Sequence, residues 1–319
     1  MDIEFKSLDK KYKEDVLKLV LKKHASARKF KPFLPNAKYY KQKYESNINQ
    51  LFKIGNGIVA LEQGELKGFL IGYEVDELFG KDKGIYVPLY GHAVIEEMKN
   101  KLYQKMYTKA ADLWVKQERL NHAITIFSHD KEVVNTWFWM GFGLRCVDAM
   151  QELKNIKEDK NVDIEIRKAA YKDIDQMEDL YKKNNQYYEE SPLFMPVSTE
   201  EGIEGLKDWY EKENHHLWIA YKDNKVVGFI RIQPNGETVI SEHPEVMNIT
   251  GAYVDDKYRK QRIGISLVNT IFKWLKENEY KLCGVDFESI NIIGSNFWLK
   301  YFIPYTHSLV RHIDDRIVD

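Results

Sequence analysis

Cysteine is nearly missing from this 319-residue chain, with Cys146 and Cys283 its only two. They lie on distant segments without CxxC spacing, which excludes a disulfide framework and a cysteine-based zinc site. A basic excess is lacking as well: 48 Lys and Arg against 49 Asp and Glu leave a net charge of −1, so nucleic acid is disfavoured as a partner. No window approaches the ~20 apolar residues of a membrane span. The opening MDIEFKSLDKKYK has no apolar stretch ahead of a small-residue cleavage site. These absences read as a soluble, unprocessed protein of a reducing cytoplasm, with no membrane partner. Nothing in the sequence supports an oligomer.

What is present is core-forming material, 44% hydrophobic and 13% aromatic, over a length that suits two domains. The chain also repeats itself at an offset of about 160. Asp2-Ile3-Glu4 returns as Asp163-Ile164-Glu165, Gly68-Phe69 as Gly228-Phe229, Gly91 as Gly251, Val94 as Val254 and Trp114 as Trp274. Two copies of one domain follow, 1–157 and 161–319, joined near the charged stretch Asn155–Lys160.

In the second copy, LWIAYK at 217–222 and VVGFIRIQ at 226–233 flank Asp223-Asn224-Lys225 and predict a hairpin. A third strand is expected over 249–254. Ile265, Val268, Ile271, Phe272 and Leu275 then repeat at helical spacing, and 282–287 returns as a strand. Between strand and helix lies DDKYRKQRIG, where Arg259, Lys260, Gln261 and Arg262 crowd Gly264. A helix start exposes unpaired N–H groups and a partial positive charge, so such a turn suits phosphate. A solvated cationic turn is the alternative.

The segment Val254-x-x-x-Tyr258-Arg259-x-x-x-Ile263-Gly264-x-x-Leu267 resembles motif A of the GNAT superfamily of acyl-CoA-dependent N-acyltransferases. Arg262 stands where that motif has its first glycine. Asn291-x-x-Gly294-x-x-Phe297-Trp298-x-Lys300-Tyr301 resembles motif B, in the family's order and spacing, and the resemblance covers about 163–319. It implies an α/β (α+β) fold of two tandem GNAT-like domains, each a mixed, mostly antiparallel sheet flanked by helices. It further implies acetyl-CoA as cosubstrate without metal, and direct transfer of its acetyl group to a primary amine of a small molecule or peptide. Backbone groups near Tyr253 and Val254 would bind the pantetheine arm. The turn Arg259, Lys260, Gln261, Arg262, Ile263 and Gly264 would bind the pyrophosphate, and Asn291 and Trp298 of motif B would adjoin the cofactor.

The family's frequent proton donor, a motif B tyrosine, is replaced here by Trp298, whose indole is far too weak an acid. Tyr301 and Tyr305 are the nearby substitutes, and Glu242, His243 and Glu245 precede the strand as candidate bases, Glu245 first among them. The strand 249–254 itself carries no carboxylate. The stretch NNQYYEESPLFMP reads as an acceptor-binding loop in which Tyr187, Tyr188 and Glu189 recognise a cationic amine. In the first copy motif A is lost: Lys99 falls on Arg259, Gln104 replaces Gly264, and Tyr103 and Met106 are expected to obstruct a pyrophosphate at the turn. His92 and Tyr90 either line a cleft or belong to the core. Without an acid or base assigned, a non-catalytic acyl-CoA sensor is the rival reading.

Overall fold

The computed structural model describes residues 3–153, 164–196 and 202–318. The joint expected at Asn155–Lys160 lies outside them. The chain divides into two compact units, residues 1–147 with 304–319 and residues 148–303.

The first unit opens with β1 (Glu4–Ser7), α1 (Lys13–Phe30) and α2 (Lys41–Ile54), then the hairpin β2 (Gly55–Glu62) and β3 (Glu65–Val75). Two short strands follow, β4 (Gly84–Val87) and β5 (His92–Val94), then α3 (Lys99–Val115), β6 (Asn121–Phe127), α4 (Lys131–Trp139) and the start of β7 (Gly143–Glu152). The second unit repeats the order with β8 (Glu165–Lys168), α5 (Glu178–Glu189), α6 (Ile203–Tyr210), β9 (His216–Lys222), β10 (Lys225–Gln233) and β11 (Val246–Val254). It continues through α7 (Ile263–Glu277), β12 (Leu282–Glu288) and α8 (Ile292–Trp298). The strand β13 (Ile303–His312) comes last.

The pairings match as well as the order. In the second unit β8, β9, β10 and β11 run antiparallel, and β11 lies parallel to β12. In the first, β1, β2 and β3 run antiparallel, β3 pairs both β4 and β5, and β4 lies parallel to β6. Gly68 faces Val94 as Gly228 faces Val254, so the spaced identities in the sequence are one register used twice.

One assignment departs from a contiguous division of the sequence. Residues 304–319 belong to the first unit, where β13 pairs antiparallel with β6 from Thr306↔Phe127 to His312↔Asn121. A sheet edge is satisfied by any strand with a matching face, whatever its place in the chain. Periodicity along the sequence holds no record of that choice.

Each helix that follows the central strand buries one stripe, as its spacing dictates. On α7 the stripe is Ile263, Leu267, Val268, Ile271, Phe272 and Leu275; on α3 it is Leu102, Tyr103, Met106, Tyr107, Ala110 and Trp114. Alternation along β9 sends Leu217 and Ile219 into a core with α5 and α6, while Trp218 meets Trp274 of α7 at 5.4 Å between ring centroids. The sheet of the second unit therefore carries α5 and α6 on one face and α7 on the other. The hairpin turn is Asp223-Asn224, both at positive φ (50° and 58°), which suits the tight two-residue connection between Lys222 and Lys225.

Candidate active site

In the second unit β11 and β12 pair only from Val246↔Leu282 to Ile249↔Val285. Pairing stops there, although β11 runs on to Val254 and β12 to Glu288. The stop coincides with a bulge: Gly251 faces Arg231 and Ile249 faces Ile232, so Thr250 is the extra residue. Arg231 holds the bulge, donating from Nε and Nη2 to the Thr250 carbonyl at 3.2 and 3.1 Å.

Beyond the bulge, register decides which backbone groups turn away from β10. Asp255 N–H donates to the Val227 carbonyl, and antiparallel pairs alternate between bonded and non-bonded. Tyr253 is thus bonded to Phe229, while Ala252 and Val254 turn their backbone groups toward the side where pairing with β12 has ended. The sequence reading placed these backbone groups near Tyr253 and Val254; the register turns those of Ala252 and Val254 to this side, with Tyr253 between them bonded to β10.

The basic turn follows at once. Arg259 Nε donates to the Val254 carbonyl at 3.1 Å, and its guanidinium lies 5.1 Å from the Tyr187 ring centroid and 5.3 Å from that of Tyr253. Tyr187 in turn donates its hydroxyl to Asn291 Oδ1 at 2.7 Å. The same oxygen accepts the Gly294 N–H at 2.9 Å and so caps α8. The structure therefore brings together Arg259, Tyr253 and Asn291, and adds Tyr187, which sequence reasoning had placed with the acceptor.

Lys260 and Arg262 hold positive φ, 63° and 67°. Arg262 is the N-cap of α7 and makes no side-chain cap hydrogen bond, so the first N–H groups of α7 point out of the turn. The left-handed conformation is one that glycine adopts freely, and here an arginine adopts it. Ile263 is buried under the turn. A Cβ on Gly264 would stand 3.3 Å from Phe297 Cε2, so the glycine lets α7 start close against α8. Gln261 is engaged by Lys222, whose Nζ donates to its Oε1 at 2.6 Å. Asp255, buried ahead of the turn, accepts from Lys183 Nζ at 2.5 Å.

Other residues singled out in the sequence lie elsewhere. Trp298 is a core ring, packed 4.9 Å from Phe297 and 5.5 Å from Phe302 between centroids. Tyr301 stacks edgewise on Phe297, and Tyr305 is a buried residue of the first unit whose carbonyl accepts from Ser128 N–H. Glu245 precedes β11 at the end away from the turn, ion-paired with Lys281. Tyr187, Tyr188 and Glu189 form the last turn of α5 instead of a loop, with Glu189 exposed.

Sequence reasoning missed Asp286. It is the first residue of β12 past the last β11 pair. Burial, then the charges of Asp148 and Glu237, push its carboxyl up to about 7. Tyr188 lies near it, with its hydroxyl pushed up to about 12 by burial first and then by the Asp286 charge. In the sequence it stands only as an acid inside the apolar run LCGVDFE, where nothing local marks it as part of a site.

In the first unit the corresponding gap is filled by protein. Pairing of β4 with β6 stops at Val87↔Ile124. Ile95 N–H donates to the Lys67 carbonyl, so by the same alternation His92 turns its backbone groups toward β6. Lys23 of α1 occupies that side, donating from Nζ to the His92 carbonyl at 2.9 Å and the Leu89 carbonyl at 3.1 Å. The His92 ring reaches across to the Thr125 carbonyl of β6 at 2.9 Å and to the Tyr103 hydroxyl at 2.8 Å. Burial drives both Lys23 and His92 well toward their neutral forms. Tyr103 and Met106 thus face the core and do not obstruct the turn, contrary to expectation. Glu96 and Glu97 stand at the turn before α3, and Lys99 is held by Glu96, Asp130 and Glu132.

Residues 175–293 match the sequence model of the "Acetyltransferase (GNAT) family". Streptothricin acetyltransferase A of Bacillus subtilis (strain 168) is 29% identical over 97 residues, which are 29% of this chain and 50% of that protein. The chain thus spans about half the length of this curated relative. A GCN5-related N-acetyltransferase from Sphaerobacter thermophilus shares the fold at a TM-score of 0.61 and 9% identity, over 97% of this chain and 95% of its own. A GCN5-related glucosamine N-acetyltransferase region of a fungal multi-domain β-N-acetylglucosaminidase aligns at 0.54 and 13% identity, over 97% and 38%. Among the described residues no group of side chains is arranged for a metal, and no helix is long and apolar enough to cross a membrane. The segment that matches the GNAT acetyltransferase family lies wholly in the unit that carries the β11–β12 divergence and the basic turn.

Proposed function

We propose that the second unit is an acyl-CoA-dependent N-acetyltransferase, and that the first is a copy of the same domain that has lost its donor site. The observation that carries the reading is the parting of β11 from β12 after Ile249↔Val285, with Ala252 and Val254 turned into the gap and α7 starting just beyond. An extended chain with amide groups, such as pantetheine, pairs with such a strand as an added strand does. Its pyrophosphate then meets the N-terminus of α7 and the cations Arg259, Lys260 and Arg262.

Direct attack of an amine on the thioester fits the thiols available. Cys283, the cysteine of this unit, is fully buried, and burial pushes its thiol up, away from the thiolate a covalent mechanism requires. The acceptor class is a primary amine of a small molecule or peptide. Streptothricin, named for the curated relative, and glucosamine, named for one structural neighbour, are the first two to try.

The non-catalytic acyl-CoA sensor is favoured by one observation, the burial of Trp298 where the family places a tyrosine. Calorimetric titration with acetyl-CoA separates these readings when followed by assay of thiol release. We expect one site per chain, lost in Gly264→Glu and kept in Gln104→Glu, with both variants folded by circular dichroism. Binding together with release of CoA to either amine supports the transferase, and a folded wild type that binds no acetyl-CoA removes both readings.

A further inference from the structure

The two units offer an internal comparison at the place where the central strands part. Ile124 ends the β4 pairing in the first unit as Val285 ends the β11 pairing in the second. The next residue is Thr125 in one and Asp286 in the other. In the filled copy Thr125 is neutral and saturated: its hydroxyl meets Tyr86 at 3.2 Å and Ser308 at 2.9 Å, and its carbonyl meets His92. In the other copy the same sheet position holds a carboxylate.

Tyr188 of α5, on the face of the sheet opposite α7, feels the charge of Asp286, which itself feels the charges of Asp148 of β7, Glu237 of the loop after β10 and Glu288 of its own strand. Arg231 stands near Tyr188 but is already committed, to the Thr250 carbonyl and, through Nη1, to the Tyr181 hydroxyl at 3.1 Å. Asp286 therefore has acids for neighbours, at the one point where β11 and β12 begin to separate. A protonated amine is the acceptor form such a group of charges draws in. A carboxylate held this way takes a proton readily near neutral pH.

Resting on the acyltransferase reading above, we propose that Asp286 is the general base that deprotonates the acceptor ammonium. Asp286 takes one proton from the ammonium, directly or through one water, and leaves a neutral amine. The nitrogen lone pair forms the C–N bond to the thioester carbonyl. The C–S bond breaks, its electron pair leaves with sulfur, and sulfur takes up the second proton that nitrogen gives up. Asp286 then returns its proton to solvent, so amide, CoA thiol and one proton leave for each amine and thioester that enter.

The test measures thiol release with streptothricin and with glucosamine at saturating acetyl-CoA between pH 5.5 and 9, as order-of-magnitude brackets around the usual general-base range. Wild type, Asp286→Asn and Asp286→Glu are compared, each also titrated with acetyl-CoA by calorimetry. We expect equal acetyl-CoA affinity in all three, and a wild-type kcat that rises through a midpoint near 7. Asp286→Asn should lower kcat roughly 10²–10⁴-fold and remove that limb, and Asp286→Glu should restore part of both. A second readout needs no acceptor. Because the folded carboxyl sits above its unfolded value of 3.8, the stability it contributes is full below about 4 and is lost as pH rises through about 7. Asp286→Asn should therefore melt above wild type at pH 8, a difference that vanishes near pH 4. Failure to bind acetyl-CoA defeats the acyltransferase reading itself. Acetyl-CoA binding with no transfer to either amine favours the sensor and defeats the acyltransferase reading, whereas an unchanged kcat–pH profile in Asp286→Asn or no difference in melting at pH 8 overturns the assignment of Asp286 alone.

Discussion

Lys23 and Lys183 sit at equivalent places in the two units, separated by the offset of 160 (183 − 23) that also relates Val94 to Val254. Their partners differ. Lys183 pairs with the buried Asp255 beside the turn, whereas Lys23 inserts among the Leu89 carbonyl, the His92 carbonyl and the His92 ring. On the function proposed above, the difference teaches how a domain can keep its sheet while giving up a ligand. Backbone groups exposed where strands part need partners; in the first unit a lysine and a histidine of the chain itself serve. On that reading the loss of motif A is one of two changes, since Glu96 and Glu97 before α3 and the filled gap would each oppose an anionic thioester on their own.

The comparison breaks most completely if the chain is cut after Ile303. That truncation strips β13 from β6 and takes with it Tyr305 and Leu309, which are buried in the first unit. We expect the first unit to lose its cooperative melting transition, an effect on the scale of the about 5–15 kcal/mol that holds a domain together. Calorimetry showing the transition intact would sink the assignment of 304–319 to that unit.

A smaller change sharpens the contrast between the gaps. Lys23→Met keeps the aliphatic stem and leaves the Leu89 and His92 carbonyls without their donor, a cost of about 1–3 kcal/mol for each buried group left unpaired. Chemical denaturation measures it. Acetyl-CoA stoichiometry should stay at one per chain, because the turn before α3 remains acidic; a second site appearing would mean that Lys23 alone had been the barrier.

The smallest expected effect concerns the basic turn. Arg262→Gly removes a side chain from a left-handed position (φ 67°) and should stabilise the second unit by about 0.5–1 kcal/mol. Acetyl-CoA affinity should fall by less than about tenfold, since one cation of the turn is lost while the N–H groups of α7 stay in place. A larger fall would show that the Arg262 guanidinium carries most of the phosphate contact.

What could be read from the sequence was whatever is local. The hairpin around Asp223-Asn224, the stripe of α7 and the basic turn all declare themselves within a few residues. The role of Asn291 was only partly legible. Its place in the motif was plain, but its hold on Tyr187, 104 positions earlier, is a product of folding. Ala252 was passed over for Tyr253 because the direction of a strand amide depends on which pair is bonded, a fact fixed by the partner strand. Asp286 was invisible for a related reason: its meaning comes from where β11 leaves it, and no spacing within LCGVDFE reveals that. The filling of the first gap by Lys23 joins α1 to β5, and the sequence offered only a lysine on a charged helix.

The placement of β13 beside β6 also sets an order of events during synthesis. Phe127 pairs with Thr306, partners 179 positions apart (306 − 127). A ribosome adds about 5–20 residues per second, so β6 spends roughly 9–36 s as a bare edge before its neighbour has been made. Bare edges recruit foreign strands. The first unit, though translated first, is thus the last to be finished, and the newborn chain is most open to mispairing while the second unit's sequence is being made.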